Sequence, residues 1–194
     1  GERMKKYLTI PNLLTVFRML GTSALAFLPP LTVPFFALYL FCGATDIADG
    51  MIARKTGAVS DFGARLDSVA DILFYAVTLF RLFPTLLVTL PLPVWWLIGA
   101  ALAFRLCAYL AAACRYRRFA ALHTYLNKCT GALLFALPLL LLTPVAVPFS
   151  FAVCVMGMLA SAEELCLHLC SPAYDANVKS LLCLLRARGE KRQS

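Results

Sequence analysis

Charge is what this 194-residue chain has least of. Charged side chains make up 14% of it, against roughly 25% in ordinary globular domains. That deficit excludes a conventional soluble globule, whose surface needs far more charge to stay in water. Acidic residues are scarcest, ten in all, against 18 lysines and arginines. Cysteine is present eight times, but no C-x-x-C pair occurs, which argues against a zinc site or a dithiol. Free thiols inside apolar segments behave as small apolar groups, and packing is the expected role of Cys42, Cys107, Cys114, Cys129, Cys154, Cys166, Cys170 and Cys183. No internal repeat and no low-complexity segment divides the chain, so a single domain over 1–194 is expected.

Apolar residues fill the space that charge leaves. They account for 61% of the chain and give a mean hydropathy of +0.81. Long apolar runs recur at Leu31–Ala44, Ile72–Phe80, Leu92–Phe104, Ala132–Leu142 and Val145–Ala162. A helix needs about 20 mostly apolar residues to cross the hydrocarbon. Six such spans are expected, at 12–29, 33–53, 64–84, 92–113, 124–142 and 146–168. The fold class is therefore an all-α, polytopic integral membrane protein with six transmembrane helices.

The basic residues orient it. With six spans, both termini and the second and fourth loops share one side. That side collects Arg3, Lys5, Lys6, Arg54, Lys55, Arg115, Arg117, Arg118 and the tail from Lys179 to Arg192, whereas the opposite loops offer Arg81 alone. Both termini are thus expected in the cytoplasm, with residues 172–194 as a basic tail along the membrane surface. The net charge of +8 fits this asymmetry and a preference for anionic lipid. Because the basic residues lie beside spans, no nucleic-acid partner is expected. The stretch MKKYLTIPNLLTVFRMLGTSALA resembles a cleaved leader, but Pro11 and Arg18 interrupt its apolar part, so retention is expected. Gly1-Glu2-Arg3 before Met4 reads as a cloning remnant.

Five of the ten acidic residues fall in the 26 positions of DIADGMIARKTGAVSDFGARLDSVAD, Asp46 to Asp71. Asp46 and Asp49 are spaced i, i+3, and Asp67 and Asp71 are spaced i, i+4, so each pair shares a helix face. A turn centred near Gly57 brings the four to similar depth, within a few turns of about 5.4 Å each. Four anions at a membrane edge require compensation by protons or cations. The ligands are hard oxygens with no His or Cys among them, a set suited to Mg²⁺ or Mn²⁺. Two divalent ions would balance four carboxylates, and paired metals suit phosphoryl chemistry. Gly50 and Ala53 share the face of Asp46 and Asp49, Gly63 stacks a turn before Asp67, and Arg54 offers a planar cation for phosphate. Intramembrane aspartates also serve ion and proton relays in transporters. On spacing alone, a metal–phosphate site and a small ion- or proton-coupled transporter both stand.

The pattern Asp46-x-x-Asp49-Gly50-x-x-Ala53-Arg54, eight further residues, then Gly63-x-x-x-Asp67-x-x-x-Asp71 resembles the signature of the CDP-alcohol phosphotransferase family. Every signature position is present over about a seventh of the chain. The earlier IPNLLTVFRM is similar to the start of bacterial members that make phosphatidylglycerophosphate. The resemblance implies transfer of a phosphatidyl group from CDP-diacylglycerol to an alcohol, with release of CMP, on the cytoplasmic side of the inner membrane. It implies that Asp46, Asp49 and Asp67 ligate two divalent cations, with Asp71 a shared ligand or the general base. It implies a CDP-donor site of Asp49, Gly50, Ala53, Arg54, Gly63 and Asp67, and a homodimer. Glycerol 3-phosphate is the expected acceptor, with Arg105 and Lys128 holding its phosphate. Internal pairing with Glu163 or Glu164 is the alternative for Arg105. The Arg115–Arg118 group reads as topology and His123 as interfacial. Ile72 follows Asp71 where phosphatidylglycerophosphate synthases often carry Lys, and serine, inositol phosphate or phosphatidylglycerol remain alternative acceptors.

Overall fold

The computed structural model describes residues 9–56, 60–116 and 124–170. The turn at Gly57, the Arg117–Arg118 loop, His123 and the tail at 172–194 lie outside the described residues. So do the side chains of Ala53 and Arg54. The described residues form six helices and no strand: α1 Ile10–Leu25, α2 Val33–Thr56, α3 Asp61–Thr89, α4 Leu92–Tyr116, α5 Tyr125–Leu140 and α6 Ala146–Cys170. Each segment expected from the sequence falls on one helix. Four of them are long and apolar enough to cross a membrane, over Val33–Ile52, Phe62–Thr89, Leu92–Cys114 and Ala146–Leu169. Helices α1 and α5 have 16 residues each, about 24 Å at 1.5 Å per residue, short of a hydrocarbon core of about 30 Å.

The chain divides into two compact units, Gly1–Leu86 and Leu87–Ser194. In the first, α1 is turned inside out relative to a soluble helix. Its buried face carries Asn12, Thr15, Arg18 and Thr22, while Ile10, Leu13, Val16, Phe17 and Leu20 are exposed. In water this would reverse the usual burial; in a bilayer it directs the polar groups toward protein and the apolar ones toward lipid. Pro11 sits in the first turn, where the amide it lacks would have no intrahelical partner. Helix α1 packs on α2, and Gly21 permits the approach, because a Cβ there would stand 3.1 Å from Cys42 Sγ.

The buried stripe of α2 runs Phe35, Tyr39, Cys42, Thr45, Asp49. This 3–4 spacing is the helix's inward face, so Asp49 lies on the line that packs the apolar core one turn earlier. Tyr39 stacks on Phe74 of α3 at 5.1 Å between ring centroids, and Ala70, Phe74, Thr78 and Leu82 form the buried line of α3. Ser60 caps α3, its Oγ accepting the Gly63 N–H at 3.0 Å. Arg81 Nη2 donates to the Leu28 carbonyl at 2.5 Å, satisfying a backbone acceptor just past α1. In the second unit α6 packs against both α4 and α5, and presents Ser150, Val153, Cys154, Ala160, Ser161, Glu164, Leu167 and His168 as its buried face.

Candidate active site: a carboxylate cluster around a buried arginine

The four aspartates meet within the first unit. Asp46 and Asp49 come from one face of α2, Asp67 and Asp71 from one face of α3, as their spacing requires. One ligand oxygen each from Asp46, Asp49 and Asp67 lies within 4.8 Å of the others, a separation compatible with shared coordination of a hard cation at about 2.0–2.6 Å from each oxygen. Asp49 forms the floor, 5% exposed, while Asp46, Asp67 and Asp71 are 46, 45 and 46% exposed. The cluster is closed below and open above, as a site that admits both an ion and a substrate must be.

Helix α1 completes it with residues to which the sequence reading gave no site role. Arg18, its side chain 2% exposed, projects between the aspartates. Its Nη1 donates to Asp46 Oδ1 and lies 3.1 Å from Asp71 Oδ1, and its Nη2 donates to Asp67 Oδ1 and lies 3.8 Å from Asp49 Oδ2. One guanidinium thus serves four carboxylates. From the sequence, metals are the expected compensation, with Arg54 as a nearby counter-charge; the structure places the guanidinium of Arg18 inside the cluster as well. Thr15, one turn before Arg18, donates its hydroxyl to Asp49 Oδ2 at 2.9 Å. Asn12, a further turn back, stands against α3, since a Cβ on Gly63 would come within 2.8 Å of its Oδ1. Gly63 therefore clears space for a helix side chain at this position. Asn12, Thr15 and Arg18 recur every third residue in the otherwise apolar stretch IPNLLTVFRM, and that periodicity is the signal it carries.

The cluster's chemistry fits divalent ions. Ionised, four carboxylates against one guanidinium leave three negative charges uncompensated, and all the donors are oxygens.

Arg105 and Lys128 belong to the second unit. Arg105 Nη1 donates to Glu164 Oε2 and Asn127 Oδ1, both at 2.7 Å, and Asn127 Nδ2 donates to the same Glu164 oxygen at 3.0 Å. Asn127 is held at the start of α5 by Thr124, whose hydroxyl oxygen accepts the Asn127 N–H at 3.3 Å. The internal partner of Arg105 is thus Glu164, which is fully buried, whereas Arg105 is 30% exposed. Arg105 Nε donates to Tyr109 Oη at 3.2 Å, Nη2 makes no hydrogen bond among the described residues, and Arg105 lines a mostly apolar cavity of about 390 Å³ with Asn127, Thr130, Ser161, Leu102 and Leu134. Lys128 is exposed, and its side chain makes no ion pair among the described residues.

Comparison with known proteins fits this arrangement. The model of the family described as CDP-alcohol phosphatidyltransferase matches residues 8–162. A CDP-diacylglycerol–glycerol-3-phosphate 3-phosphatidyltransferase of Pseudomonas fluorescens is 36% identical over 151 residues, 73% of this chain and 76% of the relative. The enzyme of the same name from Escherichia coli is 40% identical over 92 residues, 45% of this chain and 47% of its own. A CDP-diacylglycerol–serine O-phosphatidyltransferase of Methanocaldococcus jannaschii is 39% identical over 74 residues, 38% of this chain and 34% of its own. The chain thus spans less than half the length of the latter two. No solved structure matches it significantly. The family match over most of the chain, with the four aspartates inside it, settles the choice between phosphoryl transfer and ion relay: this chain belongs to the CDP-alcohol phosphatidyltransferase family.

Proposed function

We propose that this protein transfers the phosphatidyl group of CDP-diacylglycerol to glycerol 3-phosphate, releasing CMP, with divalent metal held by the aspartate cluster. The single observation that carries the reaction is the convergence of Asp46, Asp49 and Asp67 on one small volume in a member of this family. The acceptor is drawn from what the Pseudomonas fluorescens relative is named for.

In this reading Asp46, Asp49 and Asp67 hold two ions, Mg²⁺ or Mn²⁺, with Asp71 as shared ligand or base. When bound, the ions neutralise the donor's diphosphate and polarise its phosphoryl oxygens. The chain's own residues do the rest. Asp71, on the open side of the cluster, accepts the proton of the acceptor hydroxyl. That hydroxyl oxygen forms its bond to the lipid-side phosphorus as the bond to CMP breaks, and CMP leaves with the electron pair. A plain carboxylate is a weak base, so positioning and fixed charge carry most of the acceleration. Gly50 and Ala53 give the cytidine diphosphate close access to backbone, with Asp49, Asp67 and Arg54 beside it, while Gly63 makes room for Asn12. Arg105 and Lys128 bind the acceptor phosphate, Arg105 through Nη2, since its Nη1 serves Glu164 and Asn127 and its Nε serves Tyr109.

The same reading makes 1–194 one catalytic domain with six spans in the cytoplasmic membrane. Both termini and the site face the cytoplasm, the tail at 172–194 lies on anionic lipid, and two copies form a dimer. The concentration of basic residues beside one set of span ends supports that orientation.

The test is an acceptor panel. Purified protein with CDP-diacylglycerol and Mg²⁺ or Mn²⁺ is given glycerol 3-phosphate, serine, inositol phosphate or phosphatidylglycerol, and CMP is measured. Release dependent on glycerol 3-phosphate is expected. Release with serine and none with glycerol 3-phosphate would reassign the acceptor.

A further inference from the structure

Arg18 occupies the space in which the proposed reading puts the metal, and that coincidence has a consequence. Its two terminal nitrogens contact all four carboxylates, three of which also form the group able to hold an ion. A divalent ion needs oxygens turned toward a common point at about 2.0–2.6 Å. A guanidinium inserted between those carboxylates keeps them turned toward itself. Charge alone would tolerate both cations, since four carboxylates exceed one arginine; space does not. The buried side of the arginine is loosely held, for its Nε is buried without a hydrogen-bond partner. Its strong bonds all point into the cluster.

We propose that Arg18 is an exchangeable counter-cation. It holds the four carboxylates together while no metal is bound, and metal loading displaces it toward the open side of the cluster. There its planar fork is suited to grip a phosphate through paired hydrogen bonds. The displaced guanidinium would otherwise lack an anion, so metal and a diphosphate-bearing ligand bind cooperatively. This rests on the carboxylates being the metal site, and the sign of one effect separates it from a scaffolding role. A competitor, once removed, leaves metal binding tighter; a scaffold, once removed, leaves it weaker.

The experiment is Mn²⁺ titration of the purified full chain in detergent, without nucleotide, for wild type, Arg18→Gln and Arg18→Lys, with thermal unfolding in EDTA alongside. Arg18→Gln should bind Mn²⁺ roughly ten- to a hundredfold more tightly than wild type, the equivalent of losing one charge-assisted competitor. It should also unfold at lower temperature in EDTA and recover with Mn²⁺. Arg18→Lys should fall between, because an ammonium cannot span four carboxylates. Unchanged or weaker Mn²⁺ binding in Arg18→Gln overturns the exchange while leaving the metal site standing. Absence of Mn²⁺ binding in both wild type and Arg18→Gln overturns the metal site itself. If Arg18→Gln does not fold, wild type alone decides. Phenylglyoxal labelling of Arg18, read by peptide mass spectrometry, should rise several-fold on adding Mn²⁺, and labelling that stays the same contradicts displacement.

Discussion

Asp71 differs from its three neighbours in what surrounds it. The oxygens of Asp46, Asp49 and Asp67 converge within 4.8 Å, whereas Asp71 stands outside that group and meets it through Arg18 Nη1 at 3.1 Å. In the proposed reading this carboxylate, beside the ligand group rather than within it, takes the proton. Asp71→Asn keeps the shape and removes the basicity, so turnover should fall about 10²–10⁴-fold with donor affinity close to wild type. Asp46→Asn removes a ligand oxygen's charge and should weaken Mn²⁺ binding together with turnover. Mn²⁺ titration run beside CMP release separates the two effects, and wild-type turnover in Asp71→Asn would remove the base assignment. The aspartates were legible in the sequence because each pair is local, three or four residues apart on one helix. Arg18 was not, because its partners lie 28, 49 and 53 residues away. One arginine in an apolar run looks like an interruption until the helix register puts it on the face with Thr15 and Asn12.

The helices divide the polar work between them. Helix α1 brings a cation to the carboxylates of α2 and α3 in one unit, and α5 and α6 hold Arg105 of α4 in the other. In the second unit the pairing and the proposed acceptor role make different demands on the same side chain. Removing Arg105 alone leaves Glu164, a fully buried carboxylate, without its arginine counter-charge, which costs about 3–5 kcal/mol when a buried pair is broken from one side. Arg105→Ala should therefore express poorly or unfold early. Arg105→Ala with Glu164→Gln should recover much of that stability, since the neutral amide can still bond to Asn127. In the double variant the apparent KM for glycerol 3-phosphate should rise roughly ten- to a hundredfold, with donor KM little changed. Normal acceptor kinetics in a stable double variant would confine Arg105 to structure. The sequence named Glu164 as one possible partner from its place near the end of α6, but not Asn127, whose position depends on the Thr124 cap that starts α5.

Across the whole molecule, composition identified the class and each helix of the described residues, because apolar runs bounded by proline and charge are what a bilayer demands. It was less able to mark where helices end. The first span was expected at 12–29, yet α1 stops at Leu25. Ala26–Leu28 is apolar but forms a turn, ahead of Pro29 and Pro30; in lipid-facing sequence apolarity does not distinguish helix from the turn that follows it. The cluster survives such uncertainty because its four carboxylates are fixed by helix faces rather than helix ends. Their combined charge is the feature on which the functional account depends. Metal should therefore control the enzyme as a whole, and the most direct measurement is CMP release from CDP-diacylglycerol and glycerol 3-phosphate by protein stripped with EDTA, before and after returning Mg²⁺ or Mn²⁺. The account predicts no release from the stripped protein and restored release with either ion; full release in metal-free buffer would contradict it.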